Sequence, residues 1–137
     1  MAIFGIGAMF GRVNDVLEQF IQNEIASMDF GENEAQPLRE LIKRIKTGDI
    51  IYVKSHPPNL GLIIKAVGIV TSNDVLTDHL PVGTIGVRVR WISRREYAFG
   101  QINDFYNVRN NTLYEELNND VQSMVIELLT ERLTPRE

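Results

Sequence analysis

Two stretches of this 137-residue chain have residue types and spacing that suggest chemistry. In the first, Gly5-x-Gly7-x-x-x-Gly11 leads from an apolar segment into a helical pattern. That is the order in which a dinucleotide-binding turn sets a pyrophosphate on a helix N-terminus. Asp29 ends a second apolar segment 22 residues after Gly7, near the place of a ribose-binding carboxylate. Two features oppose this reading. Phe10 fills the position where a third close-packed glycine or alanine belongs, and the strand–helix alternation stops at Gly48. The glycines are read instead as serving a tight barrel strand, where a missing Cβ admits another backbone or a flat ligand.

The second stretch is Lys54-Ser55-His56, at the end of an apolar run. Ser55 and His56 are poor partners for nucleophilic catalysis, because neighbours on a strand point to opposite faces. His56 and His79 both fall in loop-like sequence, and no spacing ties either to a carboxylate. There is no His-x-x-x-His, no acidic cluster and no cysteine. That excludes disulfides, thiolate nucleophiles and Cys-type zinc sites. The chain is read as non-catalytic, without metal or cofactor, and as a cytoplasmic protein. A nucleotide-processing hydrolase stays open as an alternative.

The net charge of −4 conceals a pattern. Residues 1–35 carry one arginine against six acids, and residues 101–137 carry three basic residues against seven acids. The middle, 36–100, carries ten basic residues against five acids. Such a centre can form one positive surface or merely a solvated one. No signal peptide is expected, and the longest apolar run, "LGLIIKAVGIV", is interrupted by Lys65 and is too short to span a membrane.

The elements that must position these groups follow from periodicity. Residues 2–8 predict a short strand, residues 14–23 a helix and "EIASM" another strand. Leu38, Leu41, Ile42 and Ile45 predict a helix capped by Asn33, with Glu34 and Pro37 in its first turn and Gly48 as its stop. From Gly48 the period becomes two. "DIIYVKS", "LIIKAVGIVTS" and "TIGVRVRWIS" predict strands with no helix between them, hence antiparallel neighbours. "REYAF" reads as one more strand, while "NTLYEEL" is either a strand or a helix start through Thr112-x-x-Glu115. Val121, Met124, Val125, Leu128 and Leu129 predict an amphipathic C-terminal helix over about 119–133, capped by Asn118 or Asn119. The expected fold is a single α+β domain over 1–137, a small bent mostly antiparallel β-barrel with flanking helices.

The ordered phrase "LIKRIKTGDIIYVKSHPPNLGLIIKAVGIV" resembles the PUA-like superfamily, in particular its EVE-type and restriction-associated domains. The match lies in a helix, a Gly-Asp strand closing on Lys54-Ser55, and a strand around "AVGIV". "VRVRWI" and the final helix suit the same plan. The Lys-x-Glu of EVE-type domains is absent, and the only tryptophan is Trp91.

The resemblance implies a pocket for a base, a nucleotide or nucleic acid, with a role in defence or counter-defence. It would lie between "GAMFG", "MDFG" and "VKSH". Its ligand-binding candidates are Phe10, Asp29, Phe30, Lys54, Ser55, His56 and Trp91, with Ser55 on a base edge and Lys54 on a phosphate. Arg88, Arg90, Arg94 and Arg95 would contact phosphates, extended by Lys43, Arg44 and Lys46. Each has a plainer alternative: core packing for Phe10, Phe30 and Trp91, a turn for Asp29, an exposed loop for His56 and a solvated face for the arginines. A rival function from another class is a protein-interaction module that dimerises through the C-terminal helix.

Overall fold

The computed structural model describes residues 1–103 and 108–133. The chain begins with β1 (Ile3–Gly7) and then folds back in a hairpin, β2 (Met9–Phe10) with β3 (Asn14–Asp15). Gly11 and Arg12 make that reversal with φ of 60° and 67°. The hairpin uses up the start of the helix predicted from residue 14, so α1 covers only Leu17–Asn23. Asp15 still acts as an entry signal, since its carboxylate accepts the Leu17 N–H at 3.0 Å.

Next come β4 (Ile25–Met28) and α2 (Gln36–Ile42). The second helix is shorter than its periodicity suggests. Ala35, at φ 50°, stands at its N-terminal boundary in place of Asn33, and Glu34 lies outside it, accepting the Gly31 N–H. The helix ends at Ile42 rather than near Gly48. Asp49 ties down the segment beyond it, accepting the backbone N–H groups of Lys46 and Ala2 at 2.8 and 2.9 Å.

The long strands β5 (Ile50–Ser55), β6 (Leu62–Val70) and β7 (Ile85–Ser93) lie where the two-residue period puts them. They are followed by β8 (Tyr97–Gly100), β9 (Leu113–Glu115) and α3 (Asn119–Leu133). Thus "NTLYEEL" is a strand. Asn118 caps α3, its Oδ1 accepting from Asp120 and Val121 at 3.0 and 3.1 Å.

All the large strands join one seven-stranded sheet of order β4-β7-β6-β5-β1-β9, with β8 pairing to the start of β6. Every pair is antiparallel except β1 with β5, whose connection passes through α1, β4 and α2. Register shifts at Val53/Lys54 and Val67/Gly68 bend the long strands. The result is a curled half-barrel rather than a closed one. Among the described residues no ladder joins β4 to β9. No helix among them is long and apolar enough to cross a membrane.

Side-chain alternation gives the curled sheet two cores. The concave core gathers Phe4, Ile6, Ile51, Val53, Ile85, Val87 and Val89 with Phe20 of α1 and Ile42 of α2. The convex core gathers Ile3, Ile50, Tyr52, Leu62, Ile64 and Tyr114 under Val121, Val125, Leu128 and Leu129 of α3. The apolar stripe of α3 is therefore buried against the domain's own sheet.

Candidate functional site

The glycines of β1 face a polar cluster. A Cβ on Gly5 would lie 2.4 Å from Cζ of Tyr114, so the tyrosine ring occupies the space that the glycine leaves. A Cβ on Gly7 would sit 3.6 Å from Cε of Lys54, an ordinary contact. Gly11 is in the hairpin turn. These glycines thus admit two side chains on the convex face, and their spacing does not form a phosphate turn.

Tyr114 leads into a buried network. The Tyr52 and Tyr114 hydroxyls are 2.7 Å apart, and Tyr52 also donates to Glu116 Oε1 at 2.7 Å. Arg109 grips the same carboxylate from the other side, with Nε 3.0 Å from Oε1 and Nη2 2.5 Å from Oε2. The Arg109 carbonyl accepts a 2.8 Å hydrogen bond from Lys54 Nζ. Glu116 and Arg109 are almost fully buried and face each other as an ion pair, with hydrogen-bond donors on both carboxylate oxygens. Burial pushes the Tyr52 and Tyr114 hydroxyls above the ordinary tyrosine range, and it lowers Lys54 to about 8.

A cavity of about 450 Å³ opens beside this network, lined by Val108, Arg109 and residues 115–119. A second, of about 630 Å³, lies along α2 and β9, between Leu38, Leu41, Lys43 and Arg44 on one side and Leu113 and Glu115 on the other. Both fall in the size range of small-molecule pockets. Neither was anticipated from sequence. Their linings come from segments with no distinctive motif, and only the position of β9 at the sheet edge assembles them.

The expected site residues are distributed between the two faces. Lys54 lies on the convex side with Tyr52 and Tyr114. His56 comes two residues later, its Nδ1 3.0 Å from Asn110 Oδ1. Phe10 and Phe30 are partly buried against the concave core. Phe10 meets Phe20 edge-on at 6.2 Å. The Phe30 carbonyl accepts from Arg39 Nη1 and Thr84 Oγ1, and Asp29 beside it is exposed. Lys54 and the two phenylalanines thus stand on opposite faces of the sheet. Trp91 is half-buried and stacked on Phe20, and its Nε1 is 3.0 and 3.2 Å from the Phe20 and Ile25 carbonyls.

The arginine strip divides in the same way. Arg88 and Arg90 are exposed, alternating with the buried Val87 and Val89. Arg94 pairs with Glu18 of α1, and Arg95 with Glu131 of α3 at 2.7 Å. Arg44 is 3.7 Å from Glu115, and Lys43 is 3.1 Å from Glu40. Acidic residues of the two chain ends thus meet part of the basic middle.

No protein-family model matches this chain, and no curated protein matches it. Among solved structures it is similar to the YTH domain of the Zygosaccharomyces rouxii MRB1 protein, determined in complex with N6-methyladenosine RNA. The TM-score is 0.58 at 16% sequence identity, over 99% of this chain and 89% of that one. At that identity the likeness is one of fold.

Proposed function

We propose that this protein is a non-catalytic binding module for nucleic acid, accepting a base, modified or not, at the mouth of its curled sheet. The observation that carries this reading is the fold likeness to a domain solved with N6-methyladenosine RNA, extending over nearly the whole chain. The PUA-like and EVE-like resemblance of "TGDIIYVKS" and "AVGIV" supports the same class. A base needs a flat apolar wall and a few polar groups at its edge. Phe10 and Phe30 are partly buried against the concave core, and the exposed Asp29 directly precedes Phe30. Arg88 and Arg90 supply exposed cations, on the face of β7 opposite Val87 and Val89. Lys54, Ser55 and His56 stand at the end of β5, with Lys54 on the other face of the sheet from the two phenylalanines. The cytoplasmic setting suggested by the cysteine-free sequence belongs to this proposal.

The test is fluorescence anisotropy with short single-stranded RNA, with and without N6-methyladenosine, and with DNA of matching sequence. Binding is expected, with an affinity that falls as salt is raised. A folded protein that binds none of the three oligonucleotides at low salt overturns the reading. Dimerisation through α3 is not retained as a second reading, since its apolar stripe is occupied within the domain.

A further inference from the structure

The β2–β3 hairpin is a two-stranded sheet outside the main one. It leaves the end of β1 at which Gly7 stands in register with Lys54, so it rises from the same end of the sheet as Lys54-Ser55-His56. Its base is anchored by Phe10 on Phe20, by the Val16 N–H to the Ala8 carbonyl at 2.8 Å, and by Asp15 at the start of α1. Its tip is not packed. Val13 in the turn is 88% exposed, and Met9, opposite Asp15 at the base of the hairpin, is 53% exposed.

Arg12 lies beside Val13 in the turn. It is exposed and held at φ 67°, a left-handed conformation that costs a non-glycine residue roughly 1–2 kcal/mol. Among the described side chains it has no ion pair and no side-chain hydrogen bond, as is true also of Arg88 and Arg90. Arg39, Arg44, Arg94, Arg95 and Arg109 are all engaged. The nearest acid on the hairpin, Asp15, is turned to the Leu17 N–H.

We infer that this hairpin is a second contact for the nucleic-acid strand, with Arg12 on a phosphate and Val13 beside it against the face of an unstacked base or sugar. The inference rests on the nucleic-acid reading above and adds residues that reading does not name. A cation beside an exposed apolar side chain fits a polyanion whose bases are splayed out, which is how single strands are commonly held.

Three variants test it by anisotropy on the oligonucleotide that the wild type binds best. Arg12→Gln is expected to weaken binding on the order of tenfold and to lower the slope of log affinity against log salt by about one. Val13→Ser is expected to weaken it roughly fivefold with the slope unchanged. Arg12→Gly removes charge and backbone strain together, so it should weaken binding while thermal stability holds or rises, an outcome that a purely structural role would not produce. Wild-type binding with all three variants at wild-type affinity overturns the inference but leaves the nucleic-acid reading standing. Absence of wild-type binding to every oligonucleotide overturns both.

Discussion

Tyr114 fits against β1 because residue 5 has no side chain: a Cβ there would lie 2.4 Å from the ring's Cζ. The ring cannot retreat, because its hydroxyl is held by Tyr52, and Tyr52 is held by Glu116. Gly5→Ala is therefore expected to destabilise the fold by roughly 2–4 kcal/mol, through overpacking and the loss of buried hydrogen bonds. Gly7→Ala meets Lys54 at ordinary contact distance and should cost less than about 1 kcal/mol. Urea unfolding of the two variants checks the contrast, and equal losses would contradict it.

The Arg109–Glu116 pair is buried, so its partners are not equivalent to their neutral counterparts. Arg109→Met leaves the Glu116 carboxylate in the convex core with the Tyr52 hydroxyl and one backbone N–H as partners. A loss of about 3–5 kcal/mol is expected. The double variant Arg109→Met/Glu116→Gln should recover part of it, and chemical denaturation of the single and double variants measures the coupling.

Stability should change with alkaline pH in two opposite steps. The Lys54 amine is lowered to about 8 by burial, so between pH 8 and the ordinary lysine range near 10.5 the unfolded chain binds more protons than the folded one. Stability is expected to rise through that window. Tyr52 and Tyr114 are raised by burial, so above pH 10 the unfolded chain loses protons that the folded one keeps, and stability should fall. The expected maximum lies between about pH 8 and 10. Lys54→Met should abolish the rise and spare the fall, as thermal melts across this range would record.

If the nucleic-acid reading holds, the arginines should separate by their existing partners. Arg88→Gln and Arg90→Gln are each expected to reduce the salt slope of binding by about one. Arg94 and Arg95 already face Glu18 and Glu131, so their glutamine variants should change the slope less. Equal slopes for all four would detach the strip from phosphate contact.

Trp91 provides an internal check on the concave core. Trp91→Phe keeps the stack on Phe20 but leaves the Phe20 and Ile25 carbonyls without its Nε1 proton. A loss of about 1–3 kcal/mol is expected in thermal or urea unfolding.

Much of the architecture was legible in the residues themselves. The change from a 3.6 to a two-residue period at Gly48 gave the long strands, and alternation assigned Val87 and Val89 inward and Arg88 and Arg90 outward. The stripe Val121–Val125–Leu128–Leu129 gave α3 with its bounds. These signals are local, because each residue's face depends only on its neighbours along the chain. The hairpin at Gly11–Arg12 was not legible, since a helical pattern through Val13 and Val16 hid a turn that needs a left-handed arginine. Nor was the early end of α2 at Ile42, beyond which Asp49 holds the Lys46 N–H.

The sequence by itself determined the long strands and the final helix, the absence of thiol chemistry and the inward and outward faces of the strands. Only the tertiary structure decided what the glycines are for and which candidates meet. Lys54 and Phe10 both come at the ends of apolar strands, yet the sheet passes between them, one beside Gly7 and the other against Phe20. The network of Tyr52, Tyr114, Glu116 and Arg109 joins residues up to 64 positions apart. Its members come together because β1 pairs parallel with β5 and antiparallel with β9, a choice made by the burial of both faces at once. No local period encodes that pairing, so it is fixed only when the two cores close.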